Sequence, residues 1–319
     1  MKLTKADRII LRNIEYDAKI FEKKLAKKCN LSKDSIRYRI NRLKKFGVIG
    51  KSKAFIDYTS LGYKSYKLYL KLSATLKQKK QLRDFLSKQR EIFAVFESKG
   101  NWDMAIALFT KTRKEYYEFE NILLFNFGDI IYSKKFCLML DAELLENNLL
   151  YNKTTRKNFS VWKENLVEID KKDKKILNEL HKDGKQNLVS LSEKIGLSID
   201  SVNKRMKKLV GRGVISFFNT AVDYSKLGYE KYKLFIYVKN YSQDKEKKVL
   251  KFLNENPHTI NYIKILGPWK LECEFLIKEH KEFDKILSEL QEKFSDTIQK
   301  LEFSIFGDEI WFPSDKILE

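Results

Sequence analysis

The chain repeats itself. Sliding the sequence along itself by 166 residues superposes Asp7 on Asp173, Leu11 on Leu177, Leu25 on Leu191, Leu31-Ser32 on Leu197-Ser198 and Asp34-Ser35 on Asp200-Ser201. The same offset pairs Arg39 with Arg205, Leu43 with Leu209, Gly47-Val48-Ile49 with Gly213-Val214-Ile215, Asp57-Tyr58 with Asp223-Tyr224, and Leu61-Gly62-Tyr63 with Leu227-Gly228-Tyr229. Farther on, an offset of 167 pairs Gly100 with Gly267, Trp102 with Trp269, Phe127 with Phe294 and Asp129 with Asp296. Solenoid repeats recur every roughly 20–50 residues, so this longer period marks a duplicated module. Whatever one half folds into, the other folds into as well.

The start of each copy reads as three short helices. Ile10, Leu11 and Ile14 share one helical face, and Leu25 and Ala26 mark the inner side of a second helix beginning near Phe21. Asn30-Leu31 breaks the pattern. Ser32 then caps a third helix whose inward positions are Ile36, Ile40 and Leu43, and Gly47 ends it. Its outer face carries Lys33, Arg37, Tyr38, Asn41, Arg42, Lys44 and Lys45, cations for phosphate mixed with groups that can reach base edges. In the second copy Ser198 is the cap, Val202, Met206 and Leu209 face inward, and Asn203, Lys204, Lys207 and Lys208 face outward. The residues expected at DNA are therefore Ser32, Lys33, Ser35, Arg37, Tyr38, Asn41, Arg42 and Lys45, with Ser198, Ser201, Asn203, Lys204, Lys207 and Lys208 in the second copy. After each third helix, residues 48–57 and 214–223 read as a short β ribbon forming a wing, from which Lys51 and Lys53 reach phosphate.

Charge singles out the first copy. Lys and Arg number 64 against 43 Asp and Glu, a net +21 that favours a polyanionic partner, because each neutralised phosphate releases condensed counterions. Residues 1–50 hold ten Lys, five Arg and five acids, whereas residues 166–215 hold ten Lys, two Arg and seven acids. The first module is the electrostatic focus, and double-stranded DNA the expected partner.

The rest of each copy alternates as strands do. Tyr66, Leu68, Leu70 and Leu72 lie on one face, and Tyr232, Leu234, Ile236 and Val238 repeat the pattern. A helix (Leu82, Phe85, Leu86), strands near 93–97 and 104–109, a helix over 116–125 and a strand over 131–140 complete the order β-α-β-β-α-β. That order predicts a ferredoxin-like sandwich with both helices on one face. The fold class is α+β, in two tandem repeats: winged helix-turn-helix 1–60, sheet domain 61–146, linker 147–166, winged helix-turn-helix 167–226 and sheet domain 227–319. Trp162 is expected to anchor the linker. On the helix-free faces the first copy shows Lys67, Lys71, Asp103, Ala105, Ala107 and Lys135, the second Lys270, Glu272, Glu274 and Glu302. The two sheets are expected to pack face to face within the chain, pairing these charges around a polar cleft.

Several classes of function lack their residues. No C-x-x-C pair accompanies Cys29, Cys137 and Cys273, which read as buried thiols, and no Gly-rich phosphate loop or nucleophile-base pair appears. His181, His258 and His280 are far apart in the chain and read as surface residues. Neither metal nor cofactor is expected, and neither is catalysis. No run of eighteen apolar residues exists, and the amino terminus lacks the apolar stretch of a secretion signal, so a soluble cytoplasmic protein is expected.

Asp7 with Ile10-Leu11, the Leu31-Ser32 turn, the run Ser35-Ile36-Arg37-Tyr38-Arg39-Ile40-Asn41-Arg42-Leu43, Gly47-Val48-Ile49 and Leu61-Gly62 together resemble the Lrp/AsnC feast-or-famine regulators. Gly100-Asn101-Trp102-Asp103 is similar to that family's Gly-x-aromatic-Asp turn. The resemblance implies a transcription factor whose sheet domains pair and bind small effectors, often amino acids; Gly100, Asn101, Trp102 and Asp103 are the effector-site residues it implies. Family members carry one unit per chain and dimerise, so the duplication resembles a covalent pseudo-dimer. The second copy reads Gly267-Pro268-Trp269-Lys270, with Lys270 in place of the acidic turn residue. Two alternatives stand beside the regulator: siroheme decarboxylases, which are similar to the same family, and an effector-free architectural DNA-binding protein.

Overall fold

The structure, a computed structural model, describes residues 2–150, 156–162, 165–312 and 315–318. The first repeat runs α1 (Lys5–Tyr16), α2 (Glu22–Cys29), α3 (Lys33–Lys45), β1 (Ile49–Ile56), β2 (Lys64–Leu72), α4 (Leu76–Leu86), β3 (Ile92–Gly100), β4 (Met104–Thr110), α5 (Arg113–Phe127) and β5 (Ile131–Leu145). After β6 (Asn158–Val161), the second repeat follows as α6 (Lys171–Lys182), α7 (Leu188–Ile195), α8 (Ile199–Gly211), β7 (Ile215–Val222), β8 (Glu230–Val238), α9 (Gln243–Glu255), β9 (Thr259–Leu266), β10 (Leu271–Ile277), α10 (His280–Lys293) and β11 (Ile298–Trp311), with α11 (Asp315–Leu318) after it. The order within each repeat is the one its periodicity dictates.

Local chemistry sets the helix starts. Ser32 Oγ accepts from Ser35 N at 3.1 Å and Ser198 Oγ from Ser201 N at 3.3 Å, satisfying a donor that the first turn would leave unpaired. Thr4 and Asp7 exchange side-chain and backbone bonds at the start of α1, as Asp170 and Asp173 do at α6.

The ribbon differs from expectation. Each repeat contributes one strand, not a self-contained hairpin, and β1 pairs antiparallel with β7. Neither strand is followed by a turn that would fold it back: each runs straight into a 3-10 turn, at Tyr58–Leu61 and Tyr224–Leu227. Its open edge is satisfied by the other copy. Lys53 lies opposite Asn219 at the centre, flanked by Ser52 opposite Thr220 and Ala54 opposite Phe218. Asp57 N donates to Val214 O and Asp223 N to Val48 O, both at 2.9 Å, and Ala18 N to Phe218 O at 2.8 Å matches Gly184 N to Ser52 O at 2.9 Å. Such reciprocity is the mark of a two-fold interface, here within one chain.

The ferredoxin-like sheets are also joined. β3 pairs with β11 and β5 with β9, so β2-β4-β3-β11-β8-β10-β9-β5 closes on itself through β5 and β2 as an eight-stranded antiparallel barrel. The two seams share one register: Ile305 lies opposite Lys99 and Phe306 opposite Ser98, as Leu138 lies opposite Leu266 and Met139 opposite Ile265. Each sheet turns its other face to its own helices, where Leu82, Leu86, Phe119 and Leu123 pack in the first repeat and Val249, Leu253, Phe283 and Leu290 in the second.

A barrel of eight strands is just wide enough to be filled by side chains, and this one is filled. Tyr69, Ala105, Ala107 and Trp102 from one repeat meet Phe235, Trp269 and Ile263 from the other. The expected polar cleft is therefore replaced by a packed interior with an ion-pair chain through it. Lys67 Nζ reaches Glu272 at 2.7 Å, and Lys233 lies 3.4 Å from Glu272 and 2.7 Å from Glu274. The other charges sit elsewhere: Lys71 near Asp103 of its own repeat at 3.6 Å, Lys270 over the Tyr241 ring, Glu302 on the Tyr237 hydroxyl, and Lys135 exposed.

Of the linker, Tyr151–Thr155, Lys163 and Glu164 lie outside the described residues. Its described part is more ordered than its composition suggests, because β6 extends the sheet along β5 and Phe159 stacks on Tyr16 at 4.4 Å. Trp162 N donates to Asp57 Oδ2 at 3.1 Å, which fixes the exit of the strand.

Candidate nucleic-acid interface

In the first helix-turn-helix the cation-rich helix α3 is fixed by one buried carboxylate. Asp7, fully buried, lies 3.1 Å from Arg39 and 2.6 Å from Arg42. Burial alone would raise its pKa, but the Thr4 hydrogen bonds and the two guanidiniums outweigh that and hold it below the usual carboxylate range. Arg42, expected at DNA, is thus turned toward α1 and braces the helix from behind. The second copy repeats the device with Arg205, 2.8 Å from Asp173 and 2.7 Å from Asp170, while Lys208 stands exposed at the Arg42 position.

The opposite side of α3 is solvent-facing. Lys33, Arg37, Tyr38, Asn41 and Lys45 are exposed, Tyr38 by 68%, with Ser32 and half-buried Ser35 at the amino-terminal end. Tyr38, Asn41 and Lys45 follow one another at i, i+3 and i+7, a continuous stripe along the helix. Arg37 lies 2.8 Å from Glu22 on α2 and 3.5 Å from Asp34, which tie it to the scaffold while its side chain stays largely in water. On α8, Lys204, Lys207 and Lys208 are exposed and Asn203 half-buried, with exposed Ser198 and half-buried Ser201 at its start. Gly211 stands where α3 has Lys45.

The ribbon adds less than expected. Lys51 is exposed at the start of β1, but Lys53 is partly buried over the Trp311 ring, and burial lowers its pKa. Phe217 stacks on Phe55 at 4.8 Å, and Lys19 sits over Phe218 at 4.0 Å, so those aromatics serve the interface between repeats.

The Gly100–Asp103 turn lies at a barrel seam. A Cβ on Gly100 would come within 2.9 Å of Phe303 O, and one on Gly267 within 3.0 Å of Phe136 O, so these glycines let the neighbouring strand approach. Asn101 N donates to Phe303 O at 3.2 Å, Trp102 N to Ser304 Oγ at 3.0 Å, and Asp103 accepts from Leu72 N at 2.8 Å. An effector at this turn has to displace those contacts.

The histidines remain apart. His181 is buried on α6 and not at the surface as expected, since its position packs toward the ribbon; His258 bonds Leu276 O at 3.0 Å and His280 the Tyr232 hydroxyl at 3.1 Å. Among the described residues no cluster of three His, Cys, Asp or Glu could hold a metal, and no helix is long and apolar enough to cross a membrane.

Comparison with known proteins agrees with this geometry. A winged helix-turn-helix DNA-binding family model matches residues 3–49 and again 169–216. The HTH-type transcriptional regulator FL11 of Pyrococcus horikoshii is 29% identical over 121 residues, covering 38% of this chain and 80% of FL11. The transcriptional regulator AzlB of Bacillus subtilis is 44% identical over 64 residues, covering 20% of this chain and 41% of AzlB. Each half thus carries a winged helix-turn-helix of the DNA-binding type, and part of the chain is similar to HTH-type transcriptional regulators. The tandem arrangement itself has a full-length counterpart in fold: the siroheme decarboxylase NirDL superposes over 98% of this chain and 97% of its own, with a TM-score of 0.66 and 11% identity.

Proposed function

We propose that the chain is a sequence-specific transcriptional regulator that reads DNA mainly through α3, with α8 as a weaker second reader. The observation that carries this is the two-sided construction of α3. Its inner side is fixed by Asp7, while Lys33, Tyr38, Asn41 and Lys45 project into solvent on the face a major groove would receive. Asn can pair bidentately with adenine, and Lys45 and Lys51 supply phosphate contacts. The resemblance of part of the chain to HTH-type transcriptional regulators supports the reading. Selection of bound sequences from a random duplex pool tests it: wild-type protein should enrich one motif, and Asn41→Ala should relax one position of it. Enrichment unaffected by both Asn41→Ala and Tyr38→Ala would remove α3 as the reader.

A second reading, a decarboxylase acting on a siroheme-like tetrapyrrole, has the NirDL superposition in its favour. Against it, the barrel interior is packed with Tyr69, Trp102, Phe235 and Trp269, and the histidines are dispersed. Absorbance titration of the protein with siroheme separates the two, since only the decarboxylase reading requires a saturable spectral change.

A further inference from the structure

We propose that a cavity between the first helix-turn-helix and the linker is a binding site for a small phosphate-bearing metabolite. The cavity has a volume of about 730 Å³ and is lined by Lys5, Arg8, Arg12, Lys28 and Lys157, with Glu146 the one carboxylate among the described lining residues. Its size falls in the range of about 300–1,000 Å³ usual for small-ligand pockets. Glu146 is already engaged: Arg12 grips both of its oxygens, and Lys157 N donates to it at 3.2 Å. Among the described residues, no carboxylate lies within ion-pair distance of Lys5, Arg8, Lys28 or Lys157. Leu3, Ile9 and Leu150 add an apolar wall that an organic moiety can occupy.

The second repeat supplies the internal control. Lys194, the counterpart of Lys28, pairs with Glu179 at 2.8 Å, and Glu179 takes the position of Asn13. In the first repeat Asn13 can offer Lys28 only its amide oxygen. Burial and the neighbouring cations Lys24, Lys157 and Arg12 lower the Lys28 pKa against the opposing pull of Asp17, as expected where cations outnumber acids. Replacing a carboxylate by an amide is therefore what leaves this site electropositive. Arg8, one helical turn from Arg12, offers a planar fork suited to phosphate.

The cavity is not part of the recognition surface. Asp7 points from α1 to α3, whereas Lys5, Arg8 and Arg12 follow one another on the other side of α1, against Glu146 at the end of the first sheet domain and Leu150 of the linker. That placement suits a small molecule wedged between domain and linker, not a duplex lying along α3.

Isothermal titration of the full chain with inorganic pyrophosphate, at about 0.15 M salt to suppress diffuse binding, tests the site without DNA and so stands or falls independently of the DNA reading. Wild-type protein should bind at one site. Asn13→Glu, which imports the arrangement of the second repeat, and Lys28→Gln should each weaken binding by about tenfold, the loss of a charge-assisted contact. Lys194→Gln should change nothing. The proposal is overturned if wild-type protein takes up no pyrophosphate, or if Lys194→Gln weakens it as much as Lys28→Gln does. It is equally overturned if Asn13→Glu, with no pyrophosphate present, weakens duplex binding as strongly as pyrophosphate binding, for the cations then belong to the DNA footprint.

Discussion

The two repeats match where each stands on its own and diverge where they meet. Asp7 with Arg39 and Asp173 with Arg205 hold the same helix-turn-helix in the same way. Inside the barrel, Lys67 and Lys233 also occupy equivalent positions, but Glu272 and Glu274 stand where the first repeat has Ala105 and Ala107. Two first repeats facing each other would bury a pair of lysines with no acid beside them. Two second repeats would bury Lys231 and Lys233 against Glu272, Glu274 and Glu309 in each half, an excess of acid. Only the mixed pairing balances. The interface between the repeats is thus complementary rather than symmetric, which disfavours the pairing of two like repeats.

Breaking that balance should have the largest effect. Burial alone would raise the Glu272 pKa, yet Lys67 and Lys233 hold it down, whereas burial outweighs Glu272 at Lys67 and lowers its pKa to about 8. Removing one partner of a buried pair costs about 3–5 kcal/mol, chiefly by leaving the other charge uncompensated. Glu272→Ala should show that loss in urea unfolding, and adding Lys67→Met should restore most of it. A loss below about 1 kcal/mol would place these groups at the level of solvated surface pairs, and the complementarity would then have no energetic weight.

A smaller asymmetry lies at the ribbon. Ala18 and Gly184 make equivalent bonds to the opposite strand, but a Cβ on Gly184 would come within 2.6 Å of the Lys53 carbonyl carbon. Backbone cannot yield as a flexible side chain does, so Gly184→Ala should cost about 1–3 kcal/mol, as overpacking generally does. Ala18→Gly, at the matching site, should cost no more than about 1 kcal/mol. Thermal unfolding of the pair measures the difference; equal losses would mean that the repeats approach the ribbon alike.

Much of this was legible from residue order. Ser32 and Ser198 marked helix starts, the alternation from Tyr66 to Leu72 marked a strand, and the offset of the repeats marked the duplication. What periodicity does not carry is which edge meets which. The pairing of β3 with β11 and of β1 with β7 joins residues some two hundred positions or more than a hundred and fifty positions apart, and their backbone bonds leave no side-chain pattern. Gly100 and Gly267 were the trace of the seams, readable only once a strand is known to pass over them. Arg42 was assigned to the outer face because helical spacing alone does not reveal Asp7 on another helix; the retention of Asp7 with Arg39 and Asp173 with Arg205 was the available signal.

The reading helices sharpen the comparison in binding. Asn41 on α3 corresponds to Lys207 on α8, an amide able to pair with a base edge against a cation. Asn41→Ala should cost about 1–3 kcal/mol on the selected motif and relax one base position. Lys207→Ala should weaken all sequences alike and reduce the salt slope by about one. Fluorescence anisotropy across a salt series distinguishes them, and identical behaviour of the two variants would make α3 and α8 equivalent phosphate binders.

The smallest effect concerns Glu15 on α1 and its counterpart, His181 on α6. Burial raises the Glu15 pKa to about 7, opposed by the Tyr224 hydroxyl that donates to it at 2.7 Å and reinforced by Glu146. With the folded pKa above the unfolded value of about 4.3, the native state holds this proton more tightly, so its contribution is complete below that unfolded value. Stability should therefore decline as pH rises toward about 7 and level off beyond it. Glu15→Gln keeps an acceptor for Tyr224 and removes the titration, so the fall in urea midpoint between about pH 5 and about pH 8 should be smaller in the variant than in the wild type. An identical decline in both would assign the pH dependence to the other ionisable groups, and would mean that Glu15 stays charged inside the interface that Tyr224 closes.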